Sequence, residues 1–193
     1  MLGTSPSMTK ERLVRDDPPM HSQDNDTADP IALTPISRLS AYCAARFLPA
    51  TISGLGGFVT IYLLAQFSLS FETLLLVAPF GASCVLVFAL PQSPLAHPRN
   101  VIGGHLISAF IGLAVLHSLG TGPLALALAV GLAISAMQFS GTLHPPAGAD
   151  PLVVILSGAS WSFLAAPILA GTVTIVAVAY AYHRFVSRRA YPV

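Results

Sequence analysis

Between Phe47 and Tyr182 the chain carries formal charge only at Glu72, Arg99 and Asp150, so each polar side chain there needs a reason. His144 opens the run His144-Pro145-Pro146-Ala147-Gly148-Ala149-Asp150. An imidazole and a carboxylate flanking a proline-broken segment could share a proton, or the histidine could donate to an anion. Asp150 could instead cap the helix that restarts there. An earlier run, Pro79-Phe80-Gly81-Ala82-Ser83, places a hydroxyl in a comparable setting, where it could cap a helix or bind a ligand. Arg99-Asn100 stand shortly before His105. Arg99 is the basic residue nearest the apolar core, suited to attract or gate an anion or to anchor the chain at a membrane surface.

Other chemistries find little material. His117 follows His105 by 12 residues. That is about 120° round a helix, so the two cannot share a metal unless the helix bends. Cys43 and Cys84 form no pair at metal or disulfide spacing and read as packing residues. No nucleophile elbow, phosphate loop, paired-carboxylate site or dinucleotide fingerprint is present, so neither an enzyme nor a bound cofactor is expected. A net charge of +1 without a basic patch gives no reason to expect nucleic acid.

The elements that must hold these residues follow from composition. Of 193 residues, 54% are hydrophobic and 9% charged, against about a quarter charged in a soluble domain. So few charges cannot cover a water-facing surface, and the lipid bilayer must supply part of the solvent. Apolar blocks run approximately over 47–68, 73–90, 101–119, 123–139, 146–160 and 163–183. About 20 apolar residues cross the hydrocarbon as a helix. The first, third and sixth blocks meet that length, and the fourth is slightly short. The second is interrupted by Pro79 and Gly81, and the fifth is opened by Pro145-Pro146 and Pro151. The expected fold is an all-α, polytopic transmembrane bundle of about 4–6 spans across residues 37–187, with two segments either broken or re-entrant.

Arg38 and Arg46 precede the first block, Arg99 lies between the second and third, and Arg184, Arg188 and Arg189 follow the last. Basic residues stay on the cytoplasmic side, which places both termini there in a cytoplasmic (inner) membrane. Residues 1–36 hold six of the eight acidic residues and a Pro/Asp/Ser/Thr-rich run, and they read as a disordered tail. The tail has the features of neither a secretory signal nor a transit peptide. Residues 188–193 form a short cytoplasmic tail. His97, His183, Trp161, Tyr180 and Tyr182 read as interfacial. Small residues recur at four-residue spacing as Gly104/Ser108/Gly112, Ala127/Gly131/Ser135 and Ala166/Ala170/Thr174. Such stripes let helix backbones approach, and they are expected to assemble the scaffold without a part in chemistry. A homo-oligomer is expected of so small a membrane protein.

The chain also reads as two halves. Pro79-Phe80-Gly81-Ala82-Ser83 aligns with Pro146-Ala147-Gly148-Ala149-Asp150 at an offset of 67, which also brings Gly104 onto Gly171 and Leu106 onto Val173. Repeat 1 covers about 47–119 and repeat 2 about 123–186. Three crossings in each would invert the second copy, with a site at the repeat interface near mid-membrane. Helices restarted after Pro79 and Pro146 would aim unpaired N–H groups at an anion. The two breaks would then meet around a polar cavity. Alternatively, they are only kinks.

Three motifs in order resemble the HPP family of integral membrane proteins: 79–83, then Pro91-Gln92-Ser93-Pro94-Leu95-Ala96-His97-Pro98-Arg99-Asn100-Val101-Ile102-Gly103-Gly104-His105, then Thr142-Leu143-His144-Pro145-Pro146-Ala147-Gly148-Ala149. The resemblance covers about residues 45–187. It implies four transmembrane segments, fewer than the six blocks unless some are re-entrant. Some members are associated with nitrite transport, so the resemblance implies a small inorganic anion as substrate. The expected pathway comprises Pro79, Gly81, Ala82, Ser83, Arg99, Asn100, His105, His144, Pro145, Pro146, Gly148, Ala149 and Asp150, with His105 and Arg99 on the approach. A non-transporting membrane scaffold is the alternative.

Overall fold

The computed structural model describes residues 35–70, 72 and 75–192, so most of the expected tail (1–34) lies outside the described residues, as does the side chain of Arg38. The described chain is helical: α1 (Pro35–Ser70), α2 (Pro79–Ala89), α3 (Pro98–Leu119), α4 (Pro123–Phe139), α5 (Asp150–Ser157) and α6 (Trp161–Ser187). A short 3₁₀ turn, Pro145–Ala149, leads into α5. Proline occupies the first turn of α2, α3, α4 and this 3₁₀ turn. Its fixed φ suits the start of a helix, and the N–H it lacks would have had no helical partner.

Hydrogen bonds define the two ends of the bundle. At one end Arg99 Nη2 donates to Gly141 O at 2.9 Å, Gln92 Nε2 to Ala190 O at 3.1 Å, and the Tyr191 hydroxyl to Ala96 O at 3.1 Å. Burial pushes the Tyr191 phenol up to about 12, so it remains a donor at neutral pH. Arg46, Arg184, Arg188 and Arg189 belong to this basic end. At the other end Leu75 N–H donates to Ser68 Oγ at 2.9 Å, and His117 stacks on Trp161 with ring centroids 5.3 Å apart. Glu72 shares a cleft there with Ser157 and Ser160.

The chain therefore passes six times between the ends. Among the described residues, three helices are long and apolar enough to cross a membrane unaided: Leu39–Ser70 within α1, α3 and α6. α4 adds a shorter apolar pass. The remaining two passes are composite. Residues 75–77 enter extended from the Glu72 end, and α2 continues to the basic end. Residues 142–144 enter extended from the basic end, and α5 continues to the Glu72 end. The two extended segments lie 67 residues apart, since 142 − 75 = 67, and their helices run in opposite directions. The α4 C-terminus explains how the second is aimed. Gly141, at φ +66°, donates to Gln138 O, and Thr142 N–H reaches back to Met137 O at 2.9 Å. This glycine-dependent stop turns the chain inward at Thr142.

The halves also grip each other reciprocally. A Cβ on Gly104 would lie 2.9 Å from Thr142 O, and one on Gly171 would lie 3.2 Å from Leu75 O. Both pairs are related by the offset of 67 (104 to 171, 75 to 142). Gly171 also packs on the Phe80 ring, so close that a methyl there would collide with it. Replacing Gly171 by alanine is expected to lower the thermal midpoint in detergent, because overpacking costs about 1–3 kcal/mol. Gly54→Ala, in open space within α1, is expected not to lower the midpoint, since alanine suits a helix interior better than glycine. Equal midpoints for the two variants would refute this packing.

Several expectations need correction. α1 is a helix of 36 residues, far longer than block 47–68. The packed stripe of α4 is Ala125, Ala129, Ala133 and Met137, while Ala127, Gly131 and Ser135 point outward. Likewise α6 buries Gly171, Ile175 and Ala179, while Ala170 is exposed. Both chosen stripes have the right spacing on the wrong face, because these helices are apolar all round and composition alone does not mark the inner face. His183 and Tyr182 are buried rather than interfacial. His183 Nε2 donates to Val87 O at 2.7 Å, satisfying a carbonyl in the wide final turn of α2. Tyr182 packs edge-on against Phe88, with ring centroids 5.1 Å apart.

Candidate functional site

Each broken pass buries one helical face. On α2 it comprises Phe80, Ser83, Cys84 and Val87; on the second break, Ala147, Asp150, Pro151 and Val154. The members correspond one to one at the offset of 67. Ser83 and Asp150 are thus equivalent positions facing one another from opposite directions. His105 of α3 lies between them: its Nε2 is 2.8 Å from Ser83 Oγ, and its Nδ1 is 2.7 Å from Asp150 Oδ2. His144 completes the cluster. Its Nε2 is 2.9 Å from Ser83 Oγ, and its Nδ1 donates to Leu95 O at 2.8 Å. The four side chains are at most 1% exposed.

The α3 face seats this cluster. Gly104 lies against His144 and Thr142, and Gly112 against Pro151. Ser108 Oγ donates to Ala147 O at 2.5 Å. The Gly104/Ser108/Gly112 stripe is therefore more than scaffold, because it fixes the height of the second break. Phe80 meets the His105 ring edge-on at 5.3 Å between centroids, closing one side of the site with apolar surface.

Asp150 does not cap α5; its carboxylate turns to His105, and its Oδ1 is buried with no hydrogen-bond partner. The backbone donors expected to cradle an anion are also engaged. Phe80 N–H donates to Val77 O at 3.0 Å, Gly81 N–H to Ala78 O at 3.1 Å, and Ala147 N–H to His144 O at 3.0 Å. The preceding turn supplies these acceptors, since buried backbone groups are rarely left unpaired. Donors to the site are therefore side chains.

Of the expected pathway residues, Ser83, His105, His144 and Asp150 come together, with Pro79 and Pro146 buried beside them. Gly81, Ala82, Pro145 and Ala149 lie outward, and Gly148 is half-buried, as the 3.6-residue period requires once 83 and 150 face in. Gly81 instead borders a cleft of about 740 Å³ along α1, edged by Arg46 and Arg189. The breaks meet through packed side chains rather than around an open cavity, because imidazole, hydroxyl and carboxylate satisfy one another directly. Arg99 is exposed and ties α3 to the Gly141 turn, and Asn100 Nδ2 donates to Leu143 O at 2.9 Å. Both steady the entry of the second break.

His105 is central rather than on the approach, and Ser108 and Leu95 were missed. One signal could have found them: His105 lies between Gly104 and Ser108 on the face of α3 that carries the small residues. Among the described residues, no three of His, Cys, Asp and Glu converge as a metal would require.

The long apolar helices, with two oppositely directed broken passes meeting at a buried polar cluster, are those of a helical integral membrane protein. The profile of the HPP transmembrane region matches residues 44–192, and the chain belongs to that family. A transmembrane protein of Dictyostelium discoideum is 37% identical over 153 residues, covering 73% of this chain and 49% of its own length. A second from the same organism is 38% identical over 125 residues, covering 61% and 44%. The chain spans about half the length of these relatives. No solved structure matches.

Proposed function

We propose that the chain is a membrane transporter or channel for a small inorganic anion, with nitrite the leading substrate. One observation carries this: Ser83, His105, His144 and Asp150 converge, buried, where the two oppositely directed broken passes meet. Polar groups at membrane depth are costly and mark substrate pathways. The Ser83 hydroxyl, and an imidazole Nε2 once that ring is protonated, are donors suited to a planar oxyanion, and a site with so little fixed charge lets an ion leave as readily as it binds. The positions of the arginines favour a cytoplasmic basic end in an inner membrane. The outward Ala127/Gly131/Ser135 stripe favours contact between copies in a homo-oligomer.

Purified protein in liposomes is expected to move nitrite faster than empty liposomes, and His144→Ala to lose that excess. Flux equal to that of empty liposomes would overturn the substrate assignment, and full flux in His144→Ala would remove that residue from the pathway.

One specific feature favours a second reading. Ser83, His105 and Asp150 follow the hydroxyl–imidazole–carboxylate order of a serine nucleophile. Against it, Ser83 Oγ is shared with His144 and closed to solvent. A fluorophosphonate probe is therefore expected to leave Ser83 unlabelled in intact protein; stoichiometric labelling would favour acyl-transfer chemistry.

A further inference from the structure

The cluster can be counted in protons. It forms a chain of four links: Leu95 O to His144 Nδ1, His144 Nε2 to Ser83 Oγ, Ser83 Oγ to His105 Nε2, and His105 Nδ1 to Asp150 Oδ2. Each link needs one hydrogen. A serine and two neutral imidazoles bring three, because a neutral imidazole carries a single N–H. The Pro79 carbonyl, 3.3 Å from Ser83 Oγ, is a longer and weaker alternative acceptor for the same hydroxyl hydrogen. With Asp150 ionised, both Nε2 lone pairs would then face a hydroxyl that has one hydrogen to give. One additional proton fills all four links and makes the cluster neutral overall. A neutral, fully bonded cluster is what a membrane interior tolerates, whereas an unpaired charge there is costly.

Among the described residues, no other charge competes for that role. The groups facing the chain are Ser83 from α2, His105 and Ser108 from α3, and His144 and Asp150 from the second break. Arg46, Arg99, Arg184, Arg188 and Arg189 are exposed at the basic end, and Glu72 is exposed at the other.

The ends of the chain differ. Asp150 Oδ1 is free of partners at the start of α5, which leads to the Glu72 end. His144 enters from the basic end and is tied to Leu95 in the basic-end loop. Chain connectivity thus runs from His144 back to the basic end and from Asp150 on to the Glu72 end, with one serine between them.

We infer that the cluster is a single-proton relay, and that the transporter proposed above moves one proton together with each anion. This rests on that transport reading. The proton shifts from the Asp150–His105 pair to Ser83 Oγ while the serine hydrogen passes to His144 Nε2. An anion entering between Ser83 and His144 takes that hydrogen onto its own oxygen and departs as its neutral conjugate acid. The cluster is left one proton short, with one link empty, until a proton returns through the free Asp150 oxygen. The coupled movement carries no net charge.

The test uses liposomes containing the full chain and a trapped pH dye, with the passive flux of empty liposomes subtracted. Nitrite influx is expected to acidify the interior in a fixed one-to-one ratio, and to follow the pH gradient but not a potential set with potassium and valinomycin. Asp150→Asn is expected to lower the proton-to-nitrite ratio well below one, because nitrite that still crosses does so without a proton from the relay. If Asp150→Asn fails to fold, Ser83→Ala breaks the same chain and is expected to lower the ratio likewise. Nitrite flux driven by voltage without protons would overturn the coupling and leave the transport reading standing. An unchanged ratio in the folded variant would overturn the relay. No nitrite flux above empty liposomes would overturn both.

Discussion

His105→Ala is expected to abolish nitrite flux and to lower stability by about 3–5 kcal/mol, the cost of breaking a buried ion pair by removing one partner. The size follows from what is left behind. Asp150 Oδ1 already has no partner, and His105 supplies the hydrogen bond to Oδ2. Without the imidazole, the carboxylate is buried with neither oxygen bonded, and Ser83 loses one of its two imidazole partners. The remedy is predictable too. His105→Ala combined with Asp150→Ala removes the stranded carboxylate, so the double variant is expected to be more stable than His105→Ala alone, yet equally inactive. Chemical unfolding in detergent measures the first effect and liposome flux the second. A His105→Ala protein as stable as the parent would show that the carboxylate is solvated or otherwise paired.

Gly104→Ala is the second large effect. The new methyl would stand 2.8 Å from His144 Cβ and 2.9 Å from Thr142 O. Neither is the far end of a flexible side chain: one is a backbone oxygen and the other the first carbon of a ring held at both nitrogens. The extended segment 142–144 must therefore move away from α3, taking His144 out of reach of Ser83. About 1–3 kcal/mol of destabilisation is expected from overpacking, together with loss of flux. Gly103→Ala meets the Thr142 side-chain methyl at 3.0 Å, which a small shift relieves, and should keep most of both. Equal behaviour of the two variants would show that the His144 position is not set by α3.

These two variants mark what could be seen in the sequence. The bundle, the position of α4 and the equivalence of 79–83 with 146–150 were legible, because proline, glycine and long apolar runs act locally. The alignment put Ser83 and Asp150 at equivalent positions, but gave no sign that one histidine would bridge them. That His105 would bond both depended on what meets the packed face of α3; its small residues mark that face but not the partners brought to it. The backbone anion cradle failed for a related reason. Proline announces that a helix starts, whereas the carbonyls of Val77, Ala78 and His144 that absorb the nearby donors are set by the turn before it. The expected cavity closed because its polar residues found each other.

The most direct measurement is ¹⁵N solid-state NMR of histidine-labelled protein in liposomes, with and without nitrite. The ring nitrogens of His105 and His144 are expected to shift on adding nitrite, as the anion enters between His144 and Ser83 and the Ser83–His105 link readjusts, while those of His117 and His183 stay in place. Unmoved His105 and His144 resonances in liposomes that carry nitrite would contradict the assignment of this cluster as the site through which the anion passes.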